Sequence, residues 1–99
     1  MNRVALITGG AKGIGRAIAL ALASPQWGIA VCYRTSAQEA QATADEVIAK
    51  GGQALAIRCD VSDPIACQEL VQQVESAWGR IDALINCAGP YHRINLLEE

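Results

Sequence analysis

Apolar and polar positions switch between two periods along this chain. Arg3–Thr8 reads as a strand, apolar on successive residues as a parallel strand covered on both faces should be. From about Gly13 to Ala23 the period becomes helical, with Ile14, Ile18, Ala21 and Leu22 on one face and Ser24-Pro25 as the stop. Ile29–Arg34 is a second strand. Ser36-Ala37-Gln38-Glu39 has the spacing of a capping box, in which Ser and Glu satisfy each other's orphan N–H groups. The helix it opens carries Ala40, Ala44, Val47 and Ile48 on one face, and Gly51-Gly52 ends it. Gln53–Cys59 is a third strand. Asp63 as N-cap and Pro64 at the first helical position start a third helix. Its stripe is Cys67, Leu70, Val71, Val74, Ala77 and Trp78. Ile81–Asn86 is a fourth strand, and Leu96-Leu97-Glu98-Glu99 reads as the first turn of a further helix.

Strands and helices that alternate in this way predict an α/β fold: a doubly wound parallel sheet with three helices, joined by right-handed crossovers. A strand order of 3-2-1-4 sets strands one and four side by side. The connections diverge there, and ligands bind at such switch points. The loop after strand one and the loop after strand four would both rim that crevice.

The 99 residues suffice for one small domain and not for two. Hydrophobic residues make up 52%, enough for a packed core. A net charge of −2 without a basic cluster speaks against nucleic acid as a partner. No apolar run approaches the roughly 18–20 residues of a membrane span. Met1-Asn2-Arg3 leads straight into a strand with no room for a signal peptide, so a cytoplasmic location is expected. Cys32, Cys59, Cys67 and Cys87 include no C-x-x-C pair, and His92 is the one histidine. They are expected as reduced apolar fillers rather than as a disulfide or metal set.

The chemistry concentrates in Thr8-Gly9-Gly10-Ala11-Lys12-Gly13-Ile14-Gly15. A buried strand that ends in glycines and opens a helix is an anion site, because the backbone can turn tightly and the first helical N–H groups point at the anion. The spacing Gly9-x-x-x-Gly13-x-Gly15 departs from G-x-G-x-x-G and lacks the Lys-Ser/Thr ending of a triphosphate loop. It points to a dinucleotide held by its pyrophosphate; a tight turn between strand and helix is the plain alternative.

This loop, Cys59-Asp60-Val61 and Asn86-Cys87-Ala88-Gly89 closely resemble the short-chain dehydrogenase/reductase family, and among it the 3-oxoacyl-carrier-protein-reductase-like members. The likeness runs from Val4 to Gly89 in order and spacing. It implies a Rossmann-type sheet, here truncated, with residues 1–99 forming the N-terminal part of one dinucleotide-binding domain. It also implies roles. Gly9, Gly13 and Gly15 would form the pyrophosphate turn, with Ile14 offering a backbone N–H. Asp60 would accept from the adenine amino group, with Val61 beside it. Asn86, Ala88 and Gly89 would back the adenosine side, and Asn86 would brace the sheet. Cys87 stands where the family has a second Asn. Each residue also has a plainer reading: Asp60 as turn chemistry before Ser62 and Asp63, Asn86 as a cap on the strand end, Thr8 as a β-former. Tyr91 and His92 read as exposed loop residues.

Strand two ends in Tyr33-Arg34-Thr35-Ser36, with no acid before Glu39 to take a ribose 2′-hydroxyl. Arg34, with Lys12 in the glycine loop, suits a 2′-phosphate, so NADP(H) is expected over NAD; Arg16 reads as an exposed helix charge. The family's reaction uses a Tyr-x-x-x-Lys pair with an upstream Ser and Asn. Here Tyr33 is followed four on by Ala37, Tyr91 by Asn95, and no lysine follows Lys50. The expected identity is therefore the amino half of a reductase (a gene fragment, truncated product or excised piece), inactive alone, with no catalytic residue assigned. A small carbonyl or alcohol would be the substrate of the full-length form, which could also be a homo-oligomer. The other class is a non-catalytic nucleotide-binding or pairing module.

Overall fold

In the computed structural model the described residues are 1–87. The order is β1 (Arg3–Thr8), α1 (Gly13–Leu22), β2 (Trp27–Tyr33), α2 (Ala37–Ala49), β3 (Gln53–Arg58), α3 (Pro64–Trp78) and β4 (Ala83–Asn86). The expected turn at Leu96-Leu97-Glu98-Glu99 lies outside the described residues. The four strands form one parallel sheet in the order β3-β2-β1-β4, as the alternation predicts.

The sheet is wound on both faces. Ala5, Ile7, Ile29 and Val31 pack with Ala19 of α1 and with Ala40 and Val47 of α2. Val4, Leu6, Ala30 and Cys32 pack with Leu70 and Val74 of α3. β1 and β2 are thus apolar on successive residues because each side chain meets a helix.

The helices bury narrower stripes than their periodicity predicts. In α1 the buried residues are Gly15 and Ala19, while Ile14 is 52% exposed and Ala21 is exposed. Close packing of Gly15 on the preceding loop sets the helix phase, which turns Ile14 outward by one position. In α2 Thr43 joins the buried face with Ala40, Ala44 and Val47, and Ile48 is exposed. In α3 Leu70 and Val74 are buried, Cys67 and Trp78 pack beside them, and Val71 and Ala77 are exposed. This helix covers its face alone, so the margins of its stripe have no neighbour.

The expected capping box does not form. Ser36 is the N-cap of α2, but its side chain makes no cap hydrogen bond. The Glu39 carboxylate instead lies 4.0 Å from Lys12. Asp63 does cap α3, accepting from the Ile65 N–H at 3.0 Å with Pro64 behind it. Arg16 is not a free surface charge: its guanidinium pairs with Glu46 and ties α1 to α2.

β4 starts later than its apolar run because Asp82 is used at the strand entry. Its backbone N–H donates to the Val4 carbonyl at 2.8 Å, and its carboxylate accepts from the Val4 N–H at 2.7 Å. Arg80 donates to the same carboxylate from both Nε and Nη2. The Arg80 bonds first, and the Val4 N–H next, hold the Asp82 carboxyl below the usual carboxylate range. A depressed carboxyl contributes stability that is full above its unfolded value, about 3.9, and is lost as pH falls through the folded value. Asp82→Asn should therefore melt lower than the parent at neutral pH, and the gap should close below about pH 4; thermal melts across pH check this.

Candidate nucleotide site

β1 ends at the centre of the sheet, and the chain leaves it in a folded loop. The N–H groups of Gly9 and Gly10 both donate to the Cys32 carbonyl on β2, at 3.0 and 3.3 Å. Gly9 and Gly13 have φ of 67° and 64°, the left-handed region that favours glycine. Gly15 is required for a different reason. A Cβ there would overlap the Gly9 carbonyl oxygen and lie 2.8 Å from Gly10 Cα, so the first turn of α1 sits directly on the loop backbone. Lys12 is the N-cap of α1, with no side-chain cap hydrogen bond and no acid in the first turn. The N–H groups of Gly13, Ile14 and Gly15 have no intrahelical partner and are free to bind an anion.

β4 brings the second rim alongside. Thr8 donates its hydroxyl proton to Asn86 Oδ1 at 2.6 Å. The Cys87 N–H reaches the Thr8 carbonyl at 3.0 Å and the Thr8 hydroxyl oxygen at 3.1 Å. Asn86 thus braces the sheet, and Thr8 is a bracket rather than only a β-former. Cys87 enters this bracket through its backbone, so having Cys in place of the family's Asn leaves the bracket intact.

A cleft of about 780 Å³ lies at the C-terminal ends of the strands, mostly over β1, β2 and β3, with Cys87 its one lining residue from the β4 side among the described residues. Gly9, Ala11, Lys12 and Gly13 line it from the glycine loop, and Tyr33 to Ser36 from the end of β2. Asp60, Val61 and Ser62 line it after β3, with Cys32, Cys59 and Cys87 among its walls. Of the residues expected from sequence, Gly9, Lys12, Gly13, Arg34, Asp60 and Val61 are brought together here. Ile14, Gly15 and Asn86 do not line it. Ala88, Gly89, Tyr91 and His92 lie outside the described residues. Thr35, Ser36 and Ser62 also line the cleft and are not among the site residues expected from sequence, where Ser36 reads as a cap and Ser62 as part of a turn; each is one or two positions from a residue that is, which is the signal that could have found them.

The charges at the mouth are arranged unevenly. Lys12 and Glu39 form an exposed pair, with side chains 70% and 56% accessible. The ion pairs among the described residues are this one, Arg16–Glu46 and Arg80–Asp82, so Arg34 has none. Asp60 Oδ1 accepts from the Ser62 N–H at 3.0 Å and the Ser62 hydroxyl at 2.7 Å. These two bonds, with Arg34 and Arg58 adding to them, hold its carboxyl below the ordinary range. Asp60 therefore does build the turn, and it lines the cleft as well; the two readings from sequence are not exclusive.

With this geometry in place, the comparison with known proteins is decisive. The family model for short chain dehydrogenase matches residues 3–98. The chain belongs to the short-chain dehydrogenase family. It is 42% identical over 89 residues to the 3-oxoacyl-[acyl-carrier-protein] reductase FabG of Staphylococcus epidermidis, covering 90% of this chain and 36% of that protein. The Staphylococcus aureus reductase is 41% identical over 97 residues, covering 98% of this chain and 39% of that one. Among solved structures, a short-chain dehydrogenase/reductase from Serratia marcescens aligns with a TM-score of 0.84 at 43% identity, over 90% of this chain and 36% of that one. A putative short-chain dehydrogenase/reductase from Burkholderia xenovorans aligns at 0.86 and 38% identity, over 95% and 39%. The chain thus spans less than two-fifths of the length of these relatives. Among the described residues, no helix is long and apolar enough to cross a membrane.

The glycines differ in what they demand. A Cβ on Gly13 meets nothing within 4 Å, so Gly13→Ala should cost only its left-handed φ, about 1–2 kcal/mol. Gly15→Ala forces backbone apart and should cost more, at the upper end of the roughly 1–3 kcal/mol of overpacking or beyond. Urea unfolding of both variants checks the order.

Proposed function

We propose that the chain is the cofactor-binding part of an NADP(H)-dependent short-chain dehydrogenase/reductase, acting on a carbonyl or alcohol substrate. One observation carries the choice of cofactor. At the end of β2 the cleft presents Arg34, which has no ion-pair partner among the described residues, in a Tyr33-to-Ser36 segment that contains no carboxylate. An acid would be needed there for a ribose 2′-hydroxyl, whereas a base accommodates a 2′-phosphate. NADPH, when bound, supplies the hydride.

The chain's own residues hold the cofactor. The unpartnered N–H groups at the start of α1 receive the pyrophosphate, with Gly9 and Gly13 shaping the loop and Gly15 letting α1 close on it. Arg34 and Lys12 face the 2′-phosphate. Asp60 and Val61 take the adenine side, and the bracket from Thr8 to Asn86 holds β4 beside β1. A cytoplasmic location goes with this reading.

Lys12 is partly held by Glu39. Arg34→Ala and Glu39→Gln should therefore move NADPH affinity in opposite directions. A charge-assisted contact of about 1.5 kcal/mol, the low end for an exposed group, makes the first a loss of about tenfold. NADH should change little. Releasing Lys12 from an exposed pair worth at most about 1 kcal/mol makes the second a gain of up to about fivefold. Titration with both nucleotides measures this, and equal losses for NADPH and NADH in Arg34→Ala would sink the cofactor assignment.

A second reading is a non-catalytic nucleotide-binding or pairing module. It is favoured by the absence of a Tyr-x-x-x-Lys pair, since Tyr33 is followed four on by Ala37 and Tyr91 by Asn95. NADPH oxidation with a test ketone separates the two for these 99 residues: binding without turnover is expected, and sustained turnover contradicts inactivity of the chain alone.

A further inference from the structure

Thr43 is fully buried on the inner face of α2, and no part of the binding scheme above uses it. It is a polar side chain on a buried stripe otherwise made of Ala40, Ala44 and Val47. Its hydroxyl has two acceptors. One is the Glu39 carbonyl at 3.0 Å, one turn back in its own helix, the ordinary way for a helical threonine to satisfy itself. The other is the Ala11 carbonyl at 3.1 Å, 32 residues away in the glycine loop. A hydroxyl has a single proton to give, so α2 shares with the loop a bond that it could keep to itself.

The loop has the greater need of that bond. Ala11 is buried in the same core cluster as Ala40 and Val47. Among the described residues no backbone N–H donates to its carbonyl, and a buried carbonyl without a donor is costly. The bond also orients the chain. Gly9 and Gly10 are anchored to β2 through their N–H groups, and Gly15 closes α1 on their backbone. Between these anchors, Thr43 fixes the Ala11–Lys12 peptide. In a trans peptide the N–H points away from the C=O. With the Ala11 carbonyl turned to α2, the Lys12 N–H is turned from it, and it has no acceptor among the described residues. Lys12 lines the cleft. The other tie between α2 and the loop, Glu39 with Lys12, is exposed at 4.0 Å and weakened by water and salt. The Thr43 bond is buried and escapes that screening.

We propose that Thr43 is a positioning residue of the nucleotide site: its hydroxyl sets the Ala11–Lys12 peptide so that the Lys12 N–H joins those of Gly13, Ile14 and Gly15 as a donor to the pyrophosphate. The role rests on the reading of the cleft as a dinucleotide site. Thr43 touches no nucleotide itself and acts through the loop backbone. Its effect falls on the pyrophosphate, which NADPH and NADH share, whereas Arg34 acts on the 2′-phosphate that NADPH alone carries.

Two variants separate this role from a purely structural one. Thr43→Val keeps the shape of the side chain and removes the hydroxyl. Thr43→Ser keeps the hydroxyl and removes a buried methyl. Both should unfold at lower urea than the parent, the first from an unsatisfied carbonyl and the second from lost packing. Titration of the full chain with NADPH and with NADH should set them apart. Thr43→Val is expected to lose about two- to tenfold in affinity for both nucleotides alike, and Thr43→Ser to bind both as the parent does. Losses that follow the urea midpoints in both variants would overturn the role. So would a Thr43→Val chain that binds both nucleotides like the parent, or one that loses NADPH and keeps NADH. If Thr43→Val does not fold, Thr43→Ser decides: parent-like affinity at a lowered urea midpoint upholds the role, and a loss overturns it. A parent chain that binds neither nucleotide overturns the reading of the cleft, and this role with it.

Discussion

The site depends on one shared acceptor. The Cys32 carbonyl on β2 takes the N–H groups of both Gly9 and Gly10, and so bends the chain as it leaves β1. Two N–H groups are used up inside the protein, and the path is committed to a tight loop. α1 then starts against that loop, with Gly15 pressed on the Gly9 and Gly10 backbone. What remains free are the N–H groups at the helix start, where the peptide dipoles add to their pull on an anion. The open N–H groups at this end of the cleft are therefore a consequence of how β1 and β2 pair.

The opposite rim is held by a comparable economy of groups. Thr8 is the last residue of β1, yet its hydroxyl serves both as donor to Asn86 and as acceptor from the Cys87 N–H. The Asp82 carboxylate does the same work at the other end of the β1–β4 pair, on the Val4 N–H. Four residues of strand are a short pairing, and these side-chain bonds at each end fix its register. Thus β1 and β4 are locked to each other at both ends of their pairing.

Much of this was legible in the sequence because the signals are local or periodic. The apolar runs of β1 and β2, Asp63-Pro64 at the head of α3, and the strand order all appear as read. The turn at the glycine loop did as well, since Gly9 and Gly13 are demanded by their own backbone angles. The readings that changed concern pairs of residues far apart in sequence. Glu39 forgoes the Ser36 cap for Lys12, Arg16 is tied to Glu46, and Ile14, Ile48 and Val71 face outward. An amphipathic stripe marks which side of a helix is apolar, while its phase against the sheet depends on what packs closest.

By itself the sequence determined the alternation of strands and helices, the order of the sheet, and the loop that turns between β1 and α1. Those follow from periodicity and from residue types whose conformations are restricted wherever they occur. Only the tertiary structure decided that, among the described residues, Arg34 lacks an ion-pair partner while Lys12 has Glu39, and that Asp60 is both turn and wall. The physical reason is that charge pairing and the lining of a cleft depend on distances between segments. Those distances exist only once the sheet has brought the C-terminal ends of its strands together.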